Sequence, residues 1–180
     1  MRITGGTLRG RVVQVPPGII RPSMDRMRES VFGALGDLGG ASFLDIFSGT
    51  GILALEAASR GAGYVEAVEN DERKRAALIA NVAVSPVRIH CRFISAELYI
   101  RRAKRNFDYI FCDPPFPYRF KWQLVAGIAA SALARDGTLI MLHRPREDFF
   151  DDDIAFIRKL PPRKFGRSVV EFLRVDKAAP

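Results

Sequence analysis

The chain has only two cysteines and two histidines in 180 residues. Cys91 and Cys112 each fall inside an apolar strand-like run and lack C-x-x-C spacing, so they read as structural thiols and not as a redox pair or zinc site. His90 and His143 also read as strand residues without partners at ligand spacing, so no metal site is expected. No run of about 18 apolar residues occurs, which argues against a membrane span. The opening Met1 to Gly10 has no apolar export core, so a cytoplasmic location with no membrane partner is expected. Internal repeats and low-complexity segments are lacking too. Acidic residues are in deficit: 20 against 28 Lys and Arg give a formal net charge of +8, which points to a polyanionic partner.

What is present is the length and hydrophobic content of one soluble domain. Arg2 to Thr4 and Gly10 to Val15 read as a hairpin around Gly5-Gly6, ended by Pro16-Pro17-Gly18. This makes residues 1–18 an N-terminal extension of a main domain over 19–180. Ser23 is placed to cap a helix running to about Leu35, with Met24, Met27, Val31 and Leu35 on one face. The pattern then alternates: strand 42–46, helix 51–60, strand 63–69, helix 71–84, strand 87–94, helix 96–105, strand 107–112, helix 119–134 and strand 137–143. Repeated βαβ units of this kind imply an α/β domain with a parallel sheet covered on both faces. Two later runs, Ile154 to Leu160 and Val169 to Val175, separated by Pro161-Pro162 and Gly166, predict a closing hairpin.

Two strand ends carry chemistry. Phe43 to Ile46 breaks into Phe47-Ser48-Gly49-Thr50-Gly51 before a helical pattern, where glycines admit a ligand close to the backbone and helix N–H groups favour an anion. Gly49-Thr50-Gly51-Ile52-Leu53-Ala54 also fits a dinucleotide fingerprint, with Glu69 near the ribose position. A pyrophosphate would be repelled by Asp45, four residues before the first glycine, whereas the ammonium group of a methyl donor such as S-adenosylmethionine would be attracted. Glu69, ending the second strand, could accept ribose hydroxyls or cap the helix starting at Asp71.

Asp113-Pro114-Pro115-Phe116 ends another apolar strand. An exocyclic amine is a weak nucleophile because its lone pair is delocalised into the base, so its methylation needs acceptors for the NH2 hydrogens. Asp113 and the Pro114 carbonyl could serve, held in direction by the two prolines, with Phe116 stacking on an unstacked base. A Pro-Pro turn that merely ends a strand is the alternative. In a doubly wound sheet both strand ends would face one crevice if the first and fourth strands are neighbours.

The basic residues cluster. Arg2, Arg9, Arg11, Arg21, Arg26 and Arg28 crowd the first thirty positions, where only Asp25 and Glu29 are acidic. Arg119 and Lys121 follow the Pro-Pro motif, and Arg163, Lys164 and Arg167 come later. Arg101 to Arg105 reads as a solvated face, and Asp151 to Asp153 as a loop. Phosphate contacts are expected from Arg2, Arg9, Arg11, Arg119 and Lys121.

With these motifs in hand, the sequence resembles the RsmD-type family of bacterial small-subunit (16S) rRNA guanine-N2 methyltransferases. The resemblance rests on Met1-Arg2-Ile3 with Gly10-Arg11, on Arg21-Pro22-Ser23 followed by Asp25, Arg28, Glu29 and Phe32, and on Leu44 to Gly51. It continues through Glu56-Ala57, Ser59-Arg60-Gly61-Ala62, Val68-Glu69-Asn70, Asn81 and Asp113 to Phe116. It implies a class I S-adenosylmethionine-dependent methyltransferase fold, Rossmann-like with a mostly parallel seven-stranded sheet, acting on N2 of a guanosine in rRNA. The partner it implies is rRNA within a small ribosomal subunit or an assembly intermediate, and a monomer is expected. By position, Asp113, Pro114, Pro115 and Phe116 would be catalytic. Ser23, Asp45, Phe47, Gly49, Thr50, Gly51, Glu69, Asn70, Ser95 and Ala96 would hold the cofactor. Similar enzymes carry Asp-Ala after the third strand to read the adenine amine. This chain has Ser95-Ala96-Glu97, so either Ser95 or Glu97 would take that bond. A DNA adenine-N6 or other nucleic-acid amine methylase, and a noncatalytic RNA-binding protein, are the alternative readings.

Overall fold

The computed structural model describes residues 1–15, 23–148 and 153–177, with Ser23 and Met24 described by backbone alone. The expected stop at Pro16-Pro17-Gly18, Arg21, and Asp151 with Asp152 lie outside these residues. Among the described residues no helix is long and apolar enough to cross a membrane.

The elements alternate as expected, with shorter helices. In chain order they are α1 (Ser23–Leu35), β1 (Ser42–Ile46), α2 (Ile52–Ser59), β2 (Tyr64–Val68), α3 (Glu72–Val82), β3 (Ile89–Arg92) and α4 (Ala96–Arg101). Then follow β4 (Tyr109–Cys112), α5 (Lys121–Ala130), β5 (Leu139–Pro145), β6 (Ile157–Phe165) and β7 (Ser168–Val175). The seven strands form one sheet in the order β3-β2-β1-β4-β5-β7-β6. The first five in sequence run parallel, and the β6–β7 pair closes the sheet antiparallel. This is the mostly parallel seven-stranded sheet that the resemblance implies.

Strand alternation splits the core into two layers. Phe43 of β1, Val65 of β2, Phe111 of β4 and Met141 of β5 pack against α1 and α2. Leu44, Ile110, Ile140 and Leu173 pack against α5 from the other side. Two-faced burial explains why these strands read as continuous apolar runs. α5 stops at Ala130, short of the expected 134, because the Ser131 hydroxyl donates to Ile128 O (2.9 Å) and accepts from Leu133 N (3.1 Å). A side chain that bonds nearby backbone groups competes with the helix ladder.

Two expectations change at the ends of the chain. Pro161-Pro162 does not separate strands but lies within β6, where the register with β7 shifts between Leu160 and Arg163. β6 is the sheet edge, the one place where a strand tolerates missing N–H groups, and a register irregularity absorbs the extra residues. The N-terminal pairing is a single bridge, Arg2 with Val12, and the segment is woven into the main core through buried Ile3 and Val13. Thr4 N–H donates to both Glu56 oxygens (2.9 and 3.1 Å), and Leu8 N–H to Ser59 Oγ (2.8 Å). Arg28 sits beneath it, fully buried, paired with Asp25 (2.6 Å) and Glu56 (3.8 Å) and donating to Arg2 O (2.7 Å). Arg28 is therefore an internal strut and is not available to a phosphate.

Candidate active site at the carboxyl ends of β1 and β4

β1 and β4 are adjacent and parallel, Ile46 opposite Cys112, so the glycine loop and the Asp113 loop leave the sheet side by side. This is the strand-order switch where doubly wound sheets bind ligands.

The glycine loop is sharply folded. Phe47, Gly49 and Gly51 all have left-handed backbones (φ 65°, 58° and 80°). For Phe47 that conformation costs on the order of 1–2 kcal/mol, strain of a kind that clusters at ligand sites. A Cβ on Gly51 would meet Leu78 Cδ1 at 2.6 Å and Val82 Cγ1 at 3.0 Å, so only glycine lets α2 begin this close to α3. The loop is latched by Gly49 N–H to Glu69 Oε2 (2.8 Å), and Asn81 donates to Thr50 O (2.9 Å). Asn81 also exchanges two 2.9 Å bonds with the backbone of Gln14, which ties the N-terminal segment to this loop.

Asp45 points into the same layer and is completely buried. Its Oδ2 accepts from Ser48 Oγ (2.6 Å) and Ala54 N (3.2 Å). Its Oδ1 has no hydrogen-bond partner among the described residues. Burial pushes its pKa from 3.8 to about 7; the nearby Asp113 and Glu69 carboxylates push the same way, and the Ser48 and Ala54 bonds oppose them. A buried carboxylate with one bare oxygen is the feature that an ammonium group would complete.

Glu69 is already well bonded: beyond Gly49, its Oε1 accepts from Asn70 N (3.0 Å) and Asp71 N (2.8 Å), and Lys74 lies 3.5 Å from Oε2. Asp71, not Glu69, caps α3 by accepting from Arg73 N. Ser95 caps α4, its hydroxyl accepting from Leu98 N (3.2 Å), with Ala96 buried behind it. Glu97 instead accepts from Tyr118 (2.6 Å), which holds its carboxyl below the usual range. Tyr118 lies edge-on to Phe47 at 5.3 Å. Glu97, Tyr118 and Phe47 thus connect the three loops around the crevice. The expected role of Ser23 falls on a side chain outside the described residues.

In the second loop, Asp113 N–H donates to Ile46 O (3.1 Å), and Tyr118 N–H to Pro115 O (2.8 Å) closes a turn. Asp113 Oδ1 lies 2.8 Å from Nδ1 of His143 on β5. A carboxylate can only accept, so Nδ1 carries the proton. His143 is 3% exposed, its Nε2 has no hydrogen-bond partner among the described residues, and its ring meets Phe116 edge-on at 5.6 Å. Composition gave no hint of this contact, because the two residues are 30 positions apart.

Lys121 departs from its expected role as an RNA contact. It is 4% exposed, and its ammonium group donates to Phe116 O (2.9 Å) and Tyr118 O (2.6 Å) and pairs with Asp148 (2.7 Å). It braces the loop from inside. Arg2, Arg9, Arg11 and Arg119 are exposed.

Comparison with known proteins agrees with this architecture. The chain is 37% identical over 121 residues to ribosomal RNA small subunit methyltransferase D of Escherichia coli, an alignment covering 64% of this chain and 60% of that protein. It is 34% identical over 79 residues to a tRNA1(Val) (adenine(37)-N6)-methyltransferase of Shewanella, covering 42% of this chain and 34% of the relative. The solved yhhF protein of Escherichia coli superposes with a TM-score of 0.87 at 28% identity over 98% of both chains. The family described as conserved hypothetical protein 95 matches residues 1–174, in keeping with the resemblance to RsmD-type enzymes, and the chain belongs to that family.

Proposed function

We propose that this protein transfers a methyl group from S-adenosylmethionine to N2 of a guanosine in small-subunit ribosomal RNA. The observation that carries the reading is the meeting, across adjacent β1 and β4, of Asp45 with a bare buried oxygen and Asp113 with one oxygen committed to His143. The cofactor would supply an electrophilic sulfonium methyl. Asp45 Oδ1 would take its ammonium group, and the glycine loop its amino-acid end. Glu69 would take the ribose by giving up part of its hold on Lys74 and Gly49. Asp113 Oδ2 and the Pro114 carbonyl would hold the amine hydrogens while the nitrogen lone pair turns toward the methyl carbon, and Phe116 would stack on the base. Positioning and exclusion of water would supply most of the rate. His143 is a positioning residue, fixing which carboxylate oxygen faces the amine.

The test is transfer of labelled methyl to undermethylated small subunits, naked rRNA and DNA in parallel, with nucleoside analysis. N2-methylguanosine from ribosomal substrate is the expected product. The similarity to an adenine-N6 methylase of tRNA keeps a second reading in play, and methylated adenine would replace the first with it.

Cofactor affinity should depend on pH through Asp45. Its folded pKa lies above the ordinary one, so without cofactor the stability it contributes is full below about pH 4 and is lost as pH rises through about 7. An ammonium group needs the ionised form and reverses the preference. Affinity should be highest above about pH 7 and fall about tenfold per unit below it, with one proton released on binding. Calorimetry across this range in two buffers of different ionisation heat measures both, and a flat profile would remove Asp45 from the site.

A further inference from the structure

The α1 helix has two working flanks. Asp25, Arg28 and Phe32 turn toward the N-terminal segment and α2, where the buried Arg28–Glu56 pair lies. Arg26, Glu29 and Ser30, at helical spacing on another side, line a cleft of about 890 Å³. Its far wall is the turn joining β6 to β7, from Lys164 to Ser168, and its inner end reaches Phe116 and His143 beside Asp113.

The walls are held in place. Arg163, at the base of the turn, donates to Ser30 O (2.8 Å) and Ser30 Oγ (2.7 Å) on α1. Arg146 N–H donates to Arg167 O (2.9 Å), fastening the tip of the turn to the segment after β5. Gly166 turns the chain with φ 59°. Three exposed cations, Arg26, Lys164 and Arg167, face this space against one carboxylate, Glu29. Two aromatic rings, Phe116 and Phe165, line it as well.

An RNA strand that delivers an unstacked base to a half-buried carboxylate such as Asp113 needs cations at phosphate height, aromatic faces for bases, and a path to the reacting atom. This cleft combines all three. We propose that it carries the single-stranded RNA flanking the target nucleotide, with phosphates on Arg26, Lys164 and Arg167 and a neighbouring base against Phe165. Arg9 and Arg11, exposed on the N-terminal segment, do not line this cleft. The proposal rests on the rRNA reading above and adds where the strand lies.

Charge reversal of exposed residues tests it without disturbing the core. Two full-length double variants, K164E/R167E and R9E/R11E, are compared with wild type on an unmodified small-subunit rRNA transcript, by binding at several salt concentrations and by labelled methyl transfer. K164E/R167E should weaken RNA binding and raise KM for RNA by about 10–100-fold. It should also flatten the dependence of log affinity on log salt by about one to two, with cofactor affinity unchanged. If K164E/R167E leaves affinity and salt slope as in wild type while R9E/R11E takes the whole loss, the cleft is not the track. The binding arm decides this even if wild type transfers no methyl to the transcript, an outcome that would overturn the functional reading instead.

Discussion

Replacing Asp113 with alanine is expected to cut methyl-transfer turnover by about 10³-fold while cofactor affinity stays within about twofold of wild type. In the proposed function the side chain would have two jobs on two oxygens: Oδ1 is tied to His143 Nδ1, and Oδ2 would hold an amine hydrogen. Loss of the second job appears in kcat and not in cofactor binding. Asp113→Asn sharpens the point. Its single amide oxygen would be claimed by the His143 N–H, turning the NH2 group toward an amine that also offers hydrogens. Reversing the His143 tautomer would leave a buried Nε2–H with no acceptor, which is costly. Asp113→Asn combined with His143→Leu frees the amide oxygen, so the double variant should turn over faster than Asp113→Asn alone. Single-turnover rates measure this, and equal or lower activity in the double variant would sink the orienting role of His143.

Glu56→Ala should be the most damaging change to stability, by about 3–5 kcal/mol. Glu56 is fully buried on α2 and accepts from Thr4 N, Thr4 Oγ1 (2.6 Å) and Arg60 Nε (3.0 Å). Its removal leaves the Arg28 guanidinium in the core with Asp25 and one carbonyl, and strips Thr4 N–H of its acceptor. The loss corresponds to a fall in Tm of about 10 °C for a domain of this size. Urea unfolding and amide exchange read it, with residues 1–15 losing protection first. Glu56→Gln keeps an acceptor for Thr4 and should cost less. A loss under about 1 kcal/mol in Glu56→Ala would mean that the segment is held by Ile3, Val13 and its hydrogen bonds to Ser59 and Asn81. For the same reason, deleting residues 1–15 would remove core side chains, so it cannot serve as a test of RNA contact.

The central fold was legible because its signals are local. Apolar strands broken by glycine or proline, alternating with helical spacing, located β1 to β5, and the Gly49–Gly51 and Asp113–Phe116 loops announced themselves by residue type. What escaped was long-range pairing. Lys121 looks like any surface lysine beside a loop until its ammonium group is seen capping the carbonyls of Phe116 and Tyr118. Arg28 belongs to a basic run in sequence and to a buried pair in space. His143 reads as a core strand residue, and it is one, but its partner lies on the neighbouring strand's end. Pro161-Pro162 reads as a break because proline withholds an N–H; whether a strand survives that depends on lying at an edge, which no local pattern reports.

That outer edge has a consequence for the protein in a crowded solution. A long antiparallel strand with bare backbone groups invites a second chain to pair with it, the first step toward fibrillar aggregation. At the centre of β6, Pro161 and Pro162 offer no N–H, and Arg158, Lys159, Arg163 and Lys164 place positive charge on both sides of them. Two molecules meeting edge to edge would find a gap in the ladder and like charges facing each other.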